Sequence, residues 1–154
     1  MKRVGVIRVL TVQDERLLNL HGRLIEGYFP TIETVSRCIP DHPNGVHDLD
    51  TKNSAIPLVV NLAREFEKEG FDAIVVSCAG DPGVAESRLE VGMPVVGAGQ
   101  STAAIALGFG GKIVSIGIGE NVPANMASLL GSSLICHIRP IGVSTTLDLM
   151  TAEG

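Results

Sequence analysis

A run of apolar, mostly β-branched residues, Ala73-Ile74-Val75-Val76, breaks off into Ser77-Cys78-Ala79-Gly80-Asp81-Pro82-Gly83. A short continuous apolar run bounded by turn formers reads as a strand buried on both faces, which means a parallel sheet covered by helices. The sequence puts the end of that strand at Cys78. In open α/β sheets, ligands bind in the crevice beyond the carboxyl ends of the strands. The thiol therefore stands where chemistry is done, before a turn loose enough to aim backbone N–H groups at a ligand. The competing reading is packing, because free cysteine is among the most buried residue types.

The rest of the chain alternates in the same way. Residues 4–10 (VGVIRVL) read as a first strand. Thr11 and Asp14 have the spacing of a variant capping box. Leu17, Leu20, Leu24 and Tyr28 then recur at helical spacing until Pro30. Residues 34–39 form a second strand, and residues 41–50 a polar loop with the turn formers Pro43, Asn44 and Gly45. A helix follows over residues 54–69, with Ile56, Val59, Ala63 and Phe66 as its buried stripe and Gly70 as its stop. After the strand ending at Cys78 come a short helix over residues 84–90 and a fourth strand starting at Pro94. This order predicts an α/β fold with a parallel sheet flanked by helices.

The plan then restarts. Residues 100–107 are a helix of small side chains, and residues 112–118 a strand. Pro123 suits the first position of a helix that Gly131 stops, and residues 134–138 are another strand. The expected division is a first α/β lobe over residues 1–98, carrying Cys78, and a partial second lobe over residues 99–154.

Aromatics make up only 3% of the chain, so the core must be aliphatic. A net charge of −5 argues against a nucleic-acid footprint. No apolar run is long enough to span a bilayer, and the start lacks the apolar region of a signal peptide. Three cysteines without dense spacing do not make a disulfide framework. The expectation is a cytoplasmic protein with reduced thiols, a small-molecule substrate, and no nucleic-acid or membrane partner.

Other motifs carry less. Gly97-Ala98-Gly99 and Gly117-Ile118-Gly119 follow strands, but neither completes G-x-G-x-x-G. Asp41, His42, His47 and Asp48 crowd one loop and could ligate a metal; the favoured reading is a solvated loop and no metal. His21 either faces the crevice or lies on the helix surface. Cys38 and Cys136 fall inside short strands and read as core fillers. Arg8 and Arg23 are the basic candidates near the first lobe's cleft.

Two segments, 77–83 (SCAGDPG) and 93–99 (MPVVGAG), resemble the aspartate/glutamate/hydantoin racemase superfamily, closest to its hydantoin racemase branch. Residues 6–9 (VIRV), 19–23 (NLHGR) and 142–149 (GVSTTLDL) are similar to archaeal members of that branch. The resemblance implies two pseudo-symmetric lobes facing across a cleft and no cofactor. It also implies one cysteine per lobe, on opposite faces of the substrate carbon. It makes Cys78 catalytic, with Ser77, Ala79, Gly80 and Asp81 around the substrate and Ser115, Ile116 and Gly117 approaching from the second lobe. Members of the family run longer, and their second cysteine ends a third strand of the second lobe. The sequence has no such segment, and Cys136 sits in a second-strand position instead.

A cysteine suits this chemistry. The C5–H of a hydantoin is acidified by the ring, so a thiolate can remove it without a metal. A helix N-terminus or backbone donors can draw a thiol pKa down toward neutrality. We expect such help from the helix after Gly83, with Asp81 capping that helix. The leading reading is a cofactor-independent racemase of 5-substituted hydantoins or related amino-acid derivatives, working as a homo-oligomer. The alternatives are an aspartate racemase, a maleate isomerase or an arylmalonate decarboxylase of the same superfamily, a cysteine hydrolase with His21 as base, or a non-catalytic ligand-binding lobe.

Overall fold

The computed structural model describes residues 1–146 and 148–150. Leu147 of the late motif and residues 151–154 of the expected second lobe lie outside the described residues. The first four strands are β1 (Lys2–Arg8), β2 (Ile32–Cys38), β3 (Ala73–Val76) and β4 (Val95–Gly97). They form one parallel sheet in the order β2-β1-β3-β4. The interior strands are β1 and β3, whose apolar residues are covered on both faces; Val6, Ile7, Ile74 and Val76 are fully buried.

One face of the sheet is covered by α3 (Leu49–Lys68). Its buried stripe is Ala55, Val59, Ala63 and Phe66, so Ala55 takes the place expected of Ile56, which is half-buried. Phe66 lies under Gly5, where a Cβ would come within 2.7 Å of the ring. The helix begins earlier than residue 54 because Asp48 caps it. The Asp48 carboxylate accepts the Thr51 N–H at 2.8 Å, and the Thr51 hydroxyl receives the Asp48 N–H at 3.1 Å. That reciprocal pair is a capping box, and the helix runs on through Pro57.

On β2, α2 (Leu20–Tyr28) packs through Gly22, where a Cβ would lie 2.5 Å from the Thr34 hydroxyl. The single first helix read from the sequence is in fact two, with α1 (Glu15–Leu18) ending at Asn19. Asp14 alone is the cap of α1. Thr11 instead donates to the Ile39 carbonyl and accepts the His42 N–H, both at 2.8 Å, and so ties the end of β1 to the β2–α3 loop.

That loop is less solvated than expected. His42 is buried, its Nδ1–H donating to the Pro40 carbonyl at 2.9 Å and its Nε2 meeting the Ser54 hydroxyl at 3.0 Å. Among the described residues, no group of three or more His, Cys, Asp or Glu side chains is placed to hold a metal ion.

After α4 (Val84–Glu90) and β4 comes α5 (Ala98–Gly108), then β5 (Ile113–Ile116), α6 (Ala124–Leu130) and β6 (Leu134–Ile138). β5 and β6 pair in parallel as a second sheet. Cys136 is exposed there and is not the core filler expected of it. Beyond β6 the chain returns to the β2–α3 loop, where the Thr146 N–H donates to the Asn44 carbonyl at 3.3 Å. Among the described residues, no helix is long and apolar enough to cross a membrane.

Candidate active site

The C-terminal ends of β1 and β3 meet where the sequence placed the chemistry. β3 itself closes at Val76, and Ser77 extends the pairing by one bond, its N–H donating to the Ile7 carbonyl at 2.9 Å. Cys78 then turns out of the sheet. Its N–H returns to the Val76 carbonyl at 3.0 Å, and its own carbonyl accepts the Asp81 N–H at 3.1 Å. Two left-handed residues make the turn possible, Asp81 at φ 47° and Gly83 at φ 70°. Asp is among the few side chains that tolerate this region. Gly83 is required there: a Cβ would lie 2.9 Å from that of Val59.

Cys78 as a residue is half-buried, with its thiol on the covered side. Burial pushes its pKa above the ordinary thiol value. The backbone N–H of Gly80 pulls the other way, the Asp81 charge adds to the rise, and Lys52 and the Asp81 N–H oppose it. The net direction is the reverse of the lowering expected from the helix after Gly83. That helix has seven residues and is capped by Gly83 without a side chain. The burial of the sulfur outweighs its nearby donors.

His21 of α2 faces inward, where its Nδ1 is hydrogen-bonded to the Ser77 hydroxyl. Burial, and then the charge of Arg8, hold the imidazole below its usual pKa, so it is neutral at pH 7. Arg8 is itself buried at the end of β1. Its Nη1 donates to the carbonyls of Leu17 and Leu18 at 2.5 and 3.1 Å, the favourable end of α1 for a cation. Arg23 is exposed. Cys38 is half-buried, its thiol 3.7 Å from the Val12 carbonyl.

Asp81 does not cap the helix after it. Its carboxylate crosses to the start of α5, accepting the N–H of Gly99 at 2.8 Å and of Gln100 at 2.7 Å. A third donor, the Asn125 Nδ2 of α6, is 2.7 Å away and also donates to the Ala79 carbonyl at 3.0 Å. The Gly97-Ala98-Gly99 pattern thus has a local purpose. A Cβ at position 97 would sit 2.6 Å from the Asp81 carboxylate, and one at position 99 would overlap the Ala79 carbonyl oxygen.

Ser77, Ala79, Gly80 and Asp81 are therefore gathered around Cys78 on one loop. Ser115, Ile116 and Gly117 are elsewhere, on and after β5. Ser115 is paired across the second sheet with His137, 3.1 Å from hydroxyl to Nδ1, while the His137 Nε2–H donates to the Gly119 carbonyl at 3.0 Å. Ser115 and Ile116 line an apolar hollow of about 220 Å³ between α5, α6 and β5, which contains none of residues 77–81. Asn125, which joins α6 to the Cys78 loop, was not singled out from the sequence. Nothing near it in the chain marks it, since its partners are Ala79 and Asp81.

The Asp/Glu/hydantoin racemase family model matches residues 21–127, more than half of the chain. The chain belongs to the Asp/Glu/hydantoin racemase family. The matched span holds His21, the Cys78 loop, both glycines and Asn125. A hydantoin racemase from Pseudomonas sp. (strain NS671) is 40% identical over 52 residues, which is 34% of this chain and 21% of that protein. Among solved structures, allantoin racemase from Klebsiella pneumoniae superposes with a TM-score of 0.81 at 20% identity, covering 100% of this chain and 64% of that one. A variant of arylmalonate decarboxylase in its liganded form gives a TM-score of 0.65 at 16% identity, covering 99% of this chain and 66% of that one. These structural likenesses establish a shared α/β fold. This racemase-family chain spans less than two thirds of the length of the allantoin racemase.

Proposed function

We propose that this chain carries half of the acid–base machinery of a cofactor-independent racemase acting on 5-substituted hydantoins or related amino-acid derivatives. Cys78 is the group that exchanges the proton on the stereogenic carbon. The observation that carries the reading is the placement of the Cys78 thiol. It stands beyond the end of an interior strand, on a turn whose Gly80 N–H favours the thiolate, beside the Ser77 hydroxyl and its His21 partner. The family membership supplies the reaction class.

The step balances without a metal or redox group. The Cys78 thiolate takes the proton from the substrate carbon, and the electron pair moves into the adjacent carbonyl as an enolate. Proton return from a thiol then completes the exchange. Ser77 and Gly80 flank the reacting sulfur, while Ala79 and Asp81 shape the loop from behind. Residues 1–98 form one lobe of the enzyme and the residues after them part of a second, in which Ser115, Ile116 and Gly117 lie on and after β5, the first two at a hollow that does not include residues 77–81. A cytosolic setting that keeps thiols reduced suits the free cysteines, and self-association covers the apolar faces of the second sheet. A cysteine hydrolase has less behind it, because the Nδ1 of His21 is engaged by Ser77.

Solvent deuterium exchange into an enantiopure 5-substituted hydantoin, followed by NMR, tests the reading. Exchange should occur with the wild type and be lost with Cys78→Ser. Exchange with retained configuration means a single base; exchange with inversion means a second acid, with Cys136 the first to be substituted. Exchange at the wild-type rate in Cys78→Ser overturns the proposal. Because the thiol pKa is raised, the thiolate is the minor form at neutral pH, so exchange should accelerate with pH and level off only above the ordinary thiol range.

A further inference from the structure

We propose that Asn125 is a positioning residue for Cys78: together with the N-terminus of α5 it takes up the Asp81 carboxylate, so that the turn is held with a countered acid beside the sulfur. The inference rests on Cys78 as the working group, but its geometry and its test need no substrate. Asp81 is only 7% exposed, at a left-handed φ, and its two oxygens receive three N–H donors. Hydrogen bonds to an ionised acceptor are the strong ones, and here they offset the burial of a charge.

The orientation of the Asn125 amide follows from the loop. Its Nδ2 serves two oxygens, those of Ala79 and Asp81, while its Oδ1 is buried without a hydrogen-bond partner among the described residues. Reversing the amide would set Oδ1 against both oxygens, so the unpartnered carbonyl is the lesser penalty. Gly97 and Gly99 leave space for the arrangement and for nothing larger. One side chain from the β5–β6 half of the molecule thereby fixes the catalytic loop of the four-stranded half.

The charged groups around the sulfur are few. Asp81 lies on its own loop and Lys52 comes from α3. His21 of α2 is hydrogen-bonded to the neighbouring Ser77, with Arg8 of β1 beside that imidazole. α5 and α6 contain no charged residue and bring only N–H groups and the Asn125 amide. Withdrawing one of the three donors leaves the Asp81 charge less countered, and it acts more strongly on the thiol.

The test is the pH profile of iodoacetamide alkylation of Cys78, read by peptide mass spectrometry on the full chain. Asn125→Ala should move the midpoint up by roughly half a pH unit, and Asn125→Asp, which keeps the size and adds a second carboxylate, should move it further. Asp81→Asn should move it down. In the Asp81→Asn background, Asn125→Ala should produce no further shift, because Asn125 acts through that carboxylate. A loop merely loosened by the substitutions would let water in and lower the midpoint in every variant. That result, or an equal Asn125→Ala shift with and without Asp81, overturns the proposal. The hydantoin exchange experiment fails or succeeds separately, since alkylation reads the thiol alone.

Discussion

At Gly99 the backbone of α5 comes so close to the Cys78 loop that a methyl group has nowhere to go. The obstacle is the Ala79 carbonyl, which occupies the place a Cβ would take, and a backbone atom cannot swing aside. Gly99→Ala should destabilise the protein by about 1–3 kcal/mol and shift the loop that holds Cys78. Chemical denaturation measures the first effect and the rate of Cys78 alkylation the second. A variant as stable as the wild type would show that the two segments are not held against each other. The Cys78 motif itself was legible in the sequence, because the strand, the thiol and the turn are contiguous. The residues that meet it were not. His21 lies 56 positions from Ser77, and Asp81 is 44 positions from Asn125. The Gly97-x-Gly99 pattern does not complete a nucleotide fingerprint, and the sequence did not show its actual purpose, because its partner, the Asp81 side chain, arrives from another part of the chain.

Among the elements, α3 does most to hold the four-stranded sheet together, since its stripe supplies Ala55, Val59, Ala63 and Phe66 to the core. Its first turn depends on the Asp48 capping box. Asp48→Ala should cost about 1 kcal/mol, seen as a lower urea midpoint with an unchanged slope. An unchanged midpoint would mean that packing alone starts the helix. The helix body was readable from its apolar spacing, whereas its start was not. The structure also carries the helix past Pro57, which lies well inside it. The break between α1 and α2 at Asn19 was equally hidden, because leucines on either side keep the helical spacing.

For the molecule as a whole, the two sheets are unequally covered. The four-stranded sheet holds the buried core, while β5 and β6 leave Val114, Ile116, Ile135 and Ile138 between 45% and 71% exposed. Apolar surface gathered on one small sheet favours association. Sedimentation velocity should show a weight-average mass that rises with concentration, and Ile116→Lys should reduce the rise. A concentration-independent monomer would refute it.

The α/β class, the parallel order of elements and the place of Cys78 beyond the end of an interior strand follow from sequence alone, because apolar runs, helical spacing and turn residues are local and additive along the chain. The state of the thiol was decided only in three dimensions. The burial of the sulfur, the charge of Asp81 and the donors gathered on that carboxylate come from segments far apart in sequence. Electrostatic environment depends on which groups are brought together in space and how much water they exclude.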